Sequence, residues 1–316
     1  MGLGPSCSSV SALVAFLAIV VAVVVQQRHK ALFSGVGAPP PDFGTGSMFD
    51  SIATRYDTVN RVLALGMDIG WRKEMVQAIQ ESLEKSESTK PLLLDVATGT
   101  ADVALLLAKA MPEATVIGVD PSPNMLDIGR EKIRDDGLQN VIYLQVADAQ
   151  ELASSIQIPD EVQSRRQQEN GLDTESPTSF DGATMSFGIR NVPDREKALC
   201  QIHQLLKPSS RFCILEFSEP DDSFGFLGSI ARVFIRNAVP FLGGVLSGKP
   251  REYWHLQNSI KDFPSPNDFV NVLESLDCQQ NGRGRNFFKV EELRQLNFGS
   301  VQLYIMRTVK EEAVSE

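Results

Sequence analysis

Apolar and polar positions alternate between two periods through the middle of this chain. Pro91 to Val96 is a short apolar run closed by the turn residues Gly99 and Thr100. From Asp102 to Met111 the apolar residues fall at Val103, Leu106, Leu107 and Ala110, the spacing of one helix face. Ala114 to Val119 is a second run, ending at Asp120. Pro121 and Pro123 interrupt it, and Asn124 to Arg134 returns to helical spacing. Val141 to Val146 is a third strand, closed by Asp148. Phe180 to Met185 is a fourth, the helix Asp194 to Leu206 follows, and Lys207-Pro208 ends it. Arg211 to Phe217, Asn286 to Val290 and Ser300 to Met306 complete seven predicted strands. Strands separated by helices of this length predict βαβ units, a parallel sheet and right-handed crossovers. A ligand is then expected at the carboxyl ends of the strands.

Three segments break the pattern. Val10 to Val25 is nearly unbroken apolar sequence, stopped by Gln26, Gln27, Arg28, His29 and Lys30. A membrane span needs about 20 apolar residues, so this run is short and suits a signal-like core or an anchor. Ser34 to Ser47 is rich in Gly and Pro and reads as a linker. The start Met1-Gly2, with Cys7 nearby, also fits the loose N-myristoylation pattern. Residues 1–47 are therefore expected to be a targeting segment, and residues 48–316 a single domain. Ala153 to Ser179 is polar and long for a loop, which predicts a surface insertion. Phe224 to Val245 approaches the length of a span, but Arg232, Arg236, Pro240 and Gly243 make it a lid or an amphipathic helix.

Composition narrows the function classes. The 316 residues are 42% hydrophobic and 22% charged, a globular balance, with a net charge of −10. That acidity argues against a nucleic-acid partner. Cys7, Cys200, Cys213 and Cys278 stand far apart and form no C-x-x-C pair. With only three histidines besides, no metal centre is expected, nor a disulfide framework.

The first predicted turn, Asp95 to Asp102, lacks the dinucleotide fingerprint: Gly99 is followed by Ala101 and Ala104. Asp120 ends the second strand, where a carboxylate can accept from ribose hydroxyls, and Asp148-Ala149 at the third can frame an adenine. Acidic strand ends suit a ribose and a cationic sulfur better than a pyrophosphate. Helix capping is the competing role for Asp95, Asp120 and Asp148.

Leu94-Asp95-Val96-Ala97-Thr98-Gly99-Thr100-Ala101-Asp102 resembles motif I of S-adenosylmethionine-dependent methyltransferases. Met48-Phe49-Asp50-Ser51-Ile52-Ala53-Thr54-Arg55-Tyr56-Asp57, Ser186-Phe187-Gly188-Ile189-Arg190-Asn191-Val192 and Phe212 to Ser218 extend the likeness. In this order and spacing they resemble the UbiE/MenG family of quinone C-methyltransferases, from Met48 to about Arg307. The chain departs from that family at Ala101 and at Ser209-Ser210, where glycines are usual, and in its longer insertion. The resemblance implies a Rossmann-like class I methyltransferase fold: a seven-stranded, mostly parallel sheet with helices on both faces. It implies S-adenosyl-L-methionine as cofactor, held by Asp95, Gly99, Thr100, Asp120, Asp148, Ala149 and Ser186. It places Arg190, Asn191 and Tyr56 at a prenylated quinol.

A demethylmenaquinol- or demethylphylloquinol-type naphthoquinol is the expected acceptor, with the 2-methoxy-6-polyprenyl-1,4-benzoquinol of ubiquinone synthesis as the alternative. Further partners are a membrane surface and a homodimer or quinone-biosynthetic complex. A plastid membrane is the expected location, with the mitochondrial inner membrane as the alternative. Two other readings stay open: a non-catalytic scaffold, and an O- or N-methyltransferase of soluble acceptors. Arg190 can instead pair with a carboxylate such as Asp194. Asp57 reads as a cap for the following helix, His203 as a structural histidine, and His255 is left undecided.

Overall fold

A computed structural model describes residues 46–86, 88–164, 179–220, 222–278 and 287–309. The N-terminal apolar segment, nearly all of the linker and most of the insertion lie outside these residues. Seven strands form one sheet: β1 (Leu92–Val96), β2 (Thr115–Asp120), β3 (Ile142–Val146), β4 (Phe180–Ser186), β5 (Leu206–Phe217), β6 (Phe288–Leu296) and β7 (Val301–Thr308). Their order is β3-β2-β1-β4-β5-β7-β6. The first five pair in parallel, while β7 runs antiparallel between β5 and β6. The order reverses between β1 and β4, so the carboxyl ends of those strands diverge and leave a crevice.

The strands are buried on both faces, which is why they read as unbroken apolar runs rather than as alternations. Leu93, Val116, Cys213 and Leu303 face one helical layer, formed with α2 (Asp68–Leu83) and α3 (Asp102–Ala110). Leu92, Leu94, Ile117, Ile214 and Tyr304 face the other, formed with α5 (Arg195–Leu205) and α9 (Pro266–Glu274). Between these layers in the chain, α4 (Pro123–Asp135) follows β2. Its first turn is capped by Ser122, whose hydroxyl accepts from the Met125 N–H.

Several sequence expectations are corrected here. The strand β5 starts at Leu206, directly after α5, and runs through Pro208. Ser209 absorbs the irregularity in the left-handed region, at φ 65°. The predicted insertion is not all surface: Ile156, Ile158 and Val162 are buried in the core. A disulfide joins Cys200 on α5 to Cys278, 78 residues away in sequence. The spacing of the cysteines gave no sign of it, because the folding of α5 and α9 against one sheet face creates the proximity.

Two additions cover the strand ends. The helix α1 (Gly46–Leu63) lies across the β1 and β2 loops. A second cover comes from the stretch after β5: α6 (Gly225–Val233), a π-helical turn at Phe234–Ala238, α7 (Val239–Ser247) and α8 (Pro250–Lys261). Gly225–Ser247 forms one 23-residue helix, long and apolar enough by composition to cross a membrane.

Candidate functional site

Two cavities meet beneath these covers. The smaller lies against the ends of β1, β2 and β4 and is walled by Gly99, Asp120, Asp148, Ala149 and Ser186, among others. The larger, about 560 Å³, is mostly apolar and holds Arg190, Asn191, Tyr56 and His255 in its wall. Phe49, Tyr56, Phe187 and Asn191 line both, so they form the partition across which a group can pass.

The turn after β1 carries strain on non-glycine residues. Ala97 and Ala101 sit at φ 53° and 66°, and Gly99 at 55°. The Ala101 methyl group is fully buried. Room for it comes from Gly129 on α4, where a Cβ would lie 3.1 Å from that methyl. The departure at Ala101 is thus accommodated by a missing side chain opposite.

The Asp120 carboxylate accepts from the Gly99 N–H at 2.9 Å and from the Ser122 N–H at 2.9 Å. Each oxygen keeps a second lone pair. Burial pushes Asp120 up to about 6 against these two N–H groups, and the Asp50 charge adds to the rise. The Ser186 hydroxyl is buried with no hydrogen-bond partner among the described residues. A buried unpaired hydroxyl, a carboxylate with spare lone pairs and a left-handed glycine turn are groups that the ribose and amino-acid portions of S-adenosyl-L-methionine can satisfy. Asp148 is exposed and accepts from the Gln150 N–H at 2.8 Å, so it caps the turn that begins at Ala149. The cavity is about 110 Å³. Small-molecule sites run to roughly 300–1,000 Å³, and the smaller cavity opens into the larger one at Phe49, Tyr56, Phe187 and Asn191.

Two residues expected at the cofactor stand behind the cavity wall instead. Asp95 is buried and accepts from the hydroxyls of Thr98 at 2.6 Å and Thr184 at 2.7 Å. Its carboxylate braces β1 against β4, and burial pushes it up to about 6. The Thr100 hydroxyl donates to Asp57 at 2.7 Å and accepts from Lys132 at 2.9 Å. Asp57 is not a cap: it lies within α1 and pairs with Lys132 of α4 at 2.5 Å. A third contact, missed from sequence, is Asp50, which accepts from the Ser122 hydroxyl at 2.5 Å and the Asn124 N–H at 3.0 Å.

In the larger cavity Arg190 is buried and pairs with Glu216, the carboxylate of β5, rather than with Asp194. Asp194 caps α5, accepting from the Lys197 N–H at 2.9 Å. The guanidinium also donates to the Phe187 carbonyl at 3.2 Å, and its centre lies 5.5 Å from the Phe217 ring centroid. Its Nε–H is buried without a partner among the described residues. Phe187 and Phe217 stack at 4.4 Å, with Trp71 edge-on to both. Burial pushes the Tyr56 phenol up, against the pull of Arg190 and Arg72. His203 lies elsewhere, edge-on to Phe287 and Phe288, in line with a structural role.

Comparison with known proteins agrees with this geometry. Residues 44–281 match the ubiE/COQ5 methyltransferase family. Over 219 residues the chain is 38% identical to demethylmenaquinone methyltransferase of Thermus thermophilus, covering 69% of this chain and 86% of that protein. Over 228 residues it is 37% identical to the ubiquinone/menaquinone biosynthesis C-methyltransferase UbiE of Citrifermentans bemidjiense, covering 72% and 84%. Among solved structures, the fold is shared with the CurJ carbon methyltransferase (TM-score 0.53, 13% identity, 98% of this chain and 72% of that one). It is shared too with the plantazolicin methyltransferase BpumL in complex with SAH (TM-score 0.52, 10% identity, 90% and 99%).

Two outcomes follow from the buried carboxylates. Asp120→Ala is expected to weaken S-adenosyl-L-methionine binding at least roughly tenfold in titration calorimetry, the worth of one or two charge-assisted hydrogen bonds. Unchanged affinity would exclude a cofactor role. For Asp95, a folded-state value raised to about 6 favours the protonated fold. That contribution is complete below the ordinary carboxylate range and is lost as pH rises through about 6. Asp95→Asn should therefore raise the melting temperature near pH 8, and the gain should vanish near pH 4. The chain belongs to the ubiE/COQ5 methyltransferase family, the S-adenosyl-L-methionine-dependent C-methyltransferases of quinone biosynthesis.

Proposed function

We propose that this protein methylates a ring carbon of a prenylated quinol, with a demethylnaphthoquinol of the menaquinone or phylloquinone type as acceptor. The 2-methoxy-6-polyprenyl-1,4-benzoquinol of ubiquinone synthesis is the alternative. The observation that carries this reading is the meeting of an apolar cavity with a polar one across Phe49, Tyr56, Phe187 and Asn191, with the Arg190 cation buried beside them.

Bound S-adenosyl-L-methionine supplies an electrophilic methyl group. The residues of this chain prepare the other reactant. A quinol carbon becomes nucleophilic when the neighbouring hydroxyl loses its proton. Arg190 stabilises that oxygen charge through its unpaired Nε–H. Glu216 fixes the guanidinium, so little reorganisation is needed when the charge develops. Asn191 and Tyr56 are placed to orient the quinol at the partition. The apolar lining excludes water, which strengthens each of these interactions. The stacked Phe187 and Phe217 offer a flat wall suited to a fused bicyclic ring.

A long isoprenoid tail does not fit within about 560 Å³ beside the ring. It leaves past Leu65, Met67, Leu227 and Phe298, which line the cavity and are exposed, Leu65 at 75%. Phe226, 70% exposed, extends this apolar rim. Such a rim suits a membrane surface, where the tail can stay in lipid. We place the enzyme at a plastid membrane, delivered by residues 1–47.

Methylation is tested with labelled S-adenosyl-L-methionine and both reduced acceptors in detergent, with mass spectrometry locating the methyl group. Methyl on carbon is expected, with the naphthoquinol preferred; transfer only to oxygen or to soluble acceptors would refute the proposal. Arg190→Ala should lower turnover by roughly 10²-fold or more while cofactor affinity holds. Equal losses in both would make its role structural. A fluorescent protein fused to residues 1–47 should mark plastids, and mitochondrial labelling would favour the benzoquinol.

A further inference from the structure

Two ion pairs stand in the wall of the larger cavity, and each leaves a polar atom with nothing to bond. Asp68 opens α2 and is 4% exposed. Its Oδ2 takes both of its cations, Arg61 at 2.9 Å and Arg72 one turn further along the helix. Its Oδ1 is buried without a hydrogen-bond partner among the described residues. Arg190 is the converse case: one terminal nitrogen pairs with Glu216, and the Nε–H is left over. Both pairs rest on one aromatic stack. The Arg72 guanidinium centre lies 5.6 Å from the Phe187 ring centroid, and that of Arg190 lies 5.5 Å from the Phe217 centroid. Asp68, Arg72, Phe187, Arg190 and Phe217 all line the cavity. A carboxylate held between two guanidiniums can only accept a hydrogen bond, and an arginine Nε–H can only donate one. The Tyr253 hydroxyl, also buried and unpaired in this wall, can do either. An unpaired buried polar atom costs free energy, so the lone acceptor and the lone donor each call for a partner that arrives with a ligand.

We propose that Asp68 Oδ1 accepts a hydrogen bond from the second hydroxyl of the quinol, the one remote from the methylated carbon, and so makes the site selective for the reduced ring. This assignment rests on the quinol reading above. A quinol with one oxygen deprotonated carries an acceptor at one end and a donor at the other. The acceptor suits the Arg190 Nε–H, and the donor suits Asp68 Oδ1. The oxidised quinone presents carbonyl oxygens at both ends. One of them then faces a carboxylate oxygen with no proton between them, in a wall too apolar to screen the repulsion. Discrimination comes from this mismatch as much as from the attraction it replaces. The chemistry gives it a purpose. Only the reduced ring has a carbon rich enough in electrons to attack a methyl group on sulfur, so a site filled with quinone is idle.

Anaerobic titration calorimetry on the full chain tests this, with S-adenosylhomocysteine bound so that no methyl group is transferred. The ligands are a demethylnaphthoquinol with one isoprene unit, its oxidised quinone, and the deoxy analogue that lacks the remote hydroxyl. Wild-type protein should bind the quinol at least roughly tenfold more tightly than either of the others. Asp68→Asn offers an amide that can donate or accept, so its preference for quinol over quinone should largely disappear. In assays with S-adenosyl-L-methionine the quinone should then inhibit this variant competitively. Arg61→Gln takes one cation from Oδ2 and leaves Oδ1 in place, so it should keep the wild-type preference. That control separates the hydrogen bond to the ligand from the part the ion pair plays in holding α1 to α2. Equal wild-type affinity for quinol and quinone, or for quinol and deoxy analogue, overturns the assignment even where Asp68→Asn fails to fold. So does an Asp68→Asn protein that keeps the preference, or an Arg61→Gln protein that loses it. If wild-type enzyme neither binds nor methylates the quinol, the functional reading itself has failed.

Discussion

Two carboxylates seven residues apart tie α1 to the loops after β1 and β2, and α1 supplies one wall of both cavities. Seven residues are about two helical turns, so Asp50 and Asp57 project from the same side of the helix. Asp50 reaches the start of α4 through Ser122 and Asn124, and Asp57 reaches Thr100 and Lys132. Phe49 and Tyr56 precede them with the same spacing and become the partition. A helix with modest apolar content is thus kept in place by these carboxylates, by Arg55 on the Ser247 carbonyl and Arg61 on Asp68, and by its few buried residues, such as Met48, Ile52 and Val59.

Beneath that cover, charge is managed by burial. Glu216 is fully buried, and truncating either partner of such a pair leaves an uncompensated ion, at a cost of several kcal/mol. The pair does little for net stability, but it gives the acceptor cavity a cation that cannot swing away. Asp95 and Asp120 show two uses of the same residue type. The first accepts from two threonine hydroxyls and braces strands; the second accepts from two backbone N–H groups and lines a cavity.

Much of this was legible before the fold was known. Apolar runs placed the parallel strands, the carboxyl-end rule pointed to Gly99, Asp120, Asp148 and Ala149, and the resemblance added Ser186; all five line one cavity. The larger cavity gathers Arg190, Asn191 and Tyr56 as the resemblance implied. What escaped was tertiary in origin. Asp57 looked like a cap because a local role is all that neighbouring residues reveal. Its true partner, Lys132, lies 75 positions on. Glu216 hid inside an apolar strand motif, and only the parallel pairing of β4 with β5 brings it to Arg190. Thr100 and Asp95 belong to the motif but are engaged by Asp57, Lys132, Thr98 and Thr184, partners that spacing does not encode. His255 lacked a motif of its own, and its setting became visible only when α8 folded over the strand ends.

The larger cavity is built in part from a stretch of chain that the smaller one does not use. Residues 225–261 are one uninterrupted stretch between β5 and α9, and they supply Leu227, Phe234, Tyr253, His255 and Leu256 to the larger cavity. The smaller cavity takes no residue from that stretch. The two cavities thus draw on different residues except at the partition of Phe49, Tyr56, Phe187 and Asn191. Substitutions confined to this stretch can reshape the outer wall of the larger cavity while every residue that lines the smaller one stays as it is.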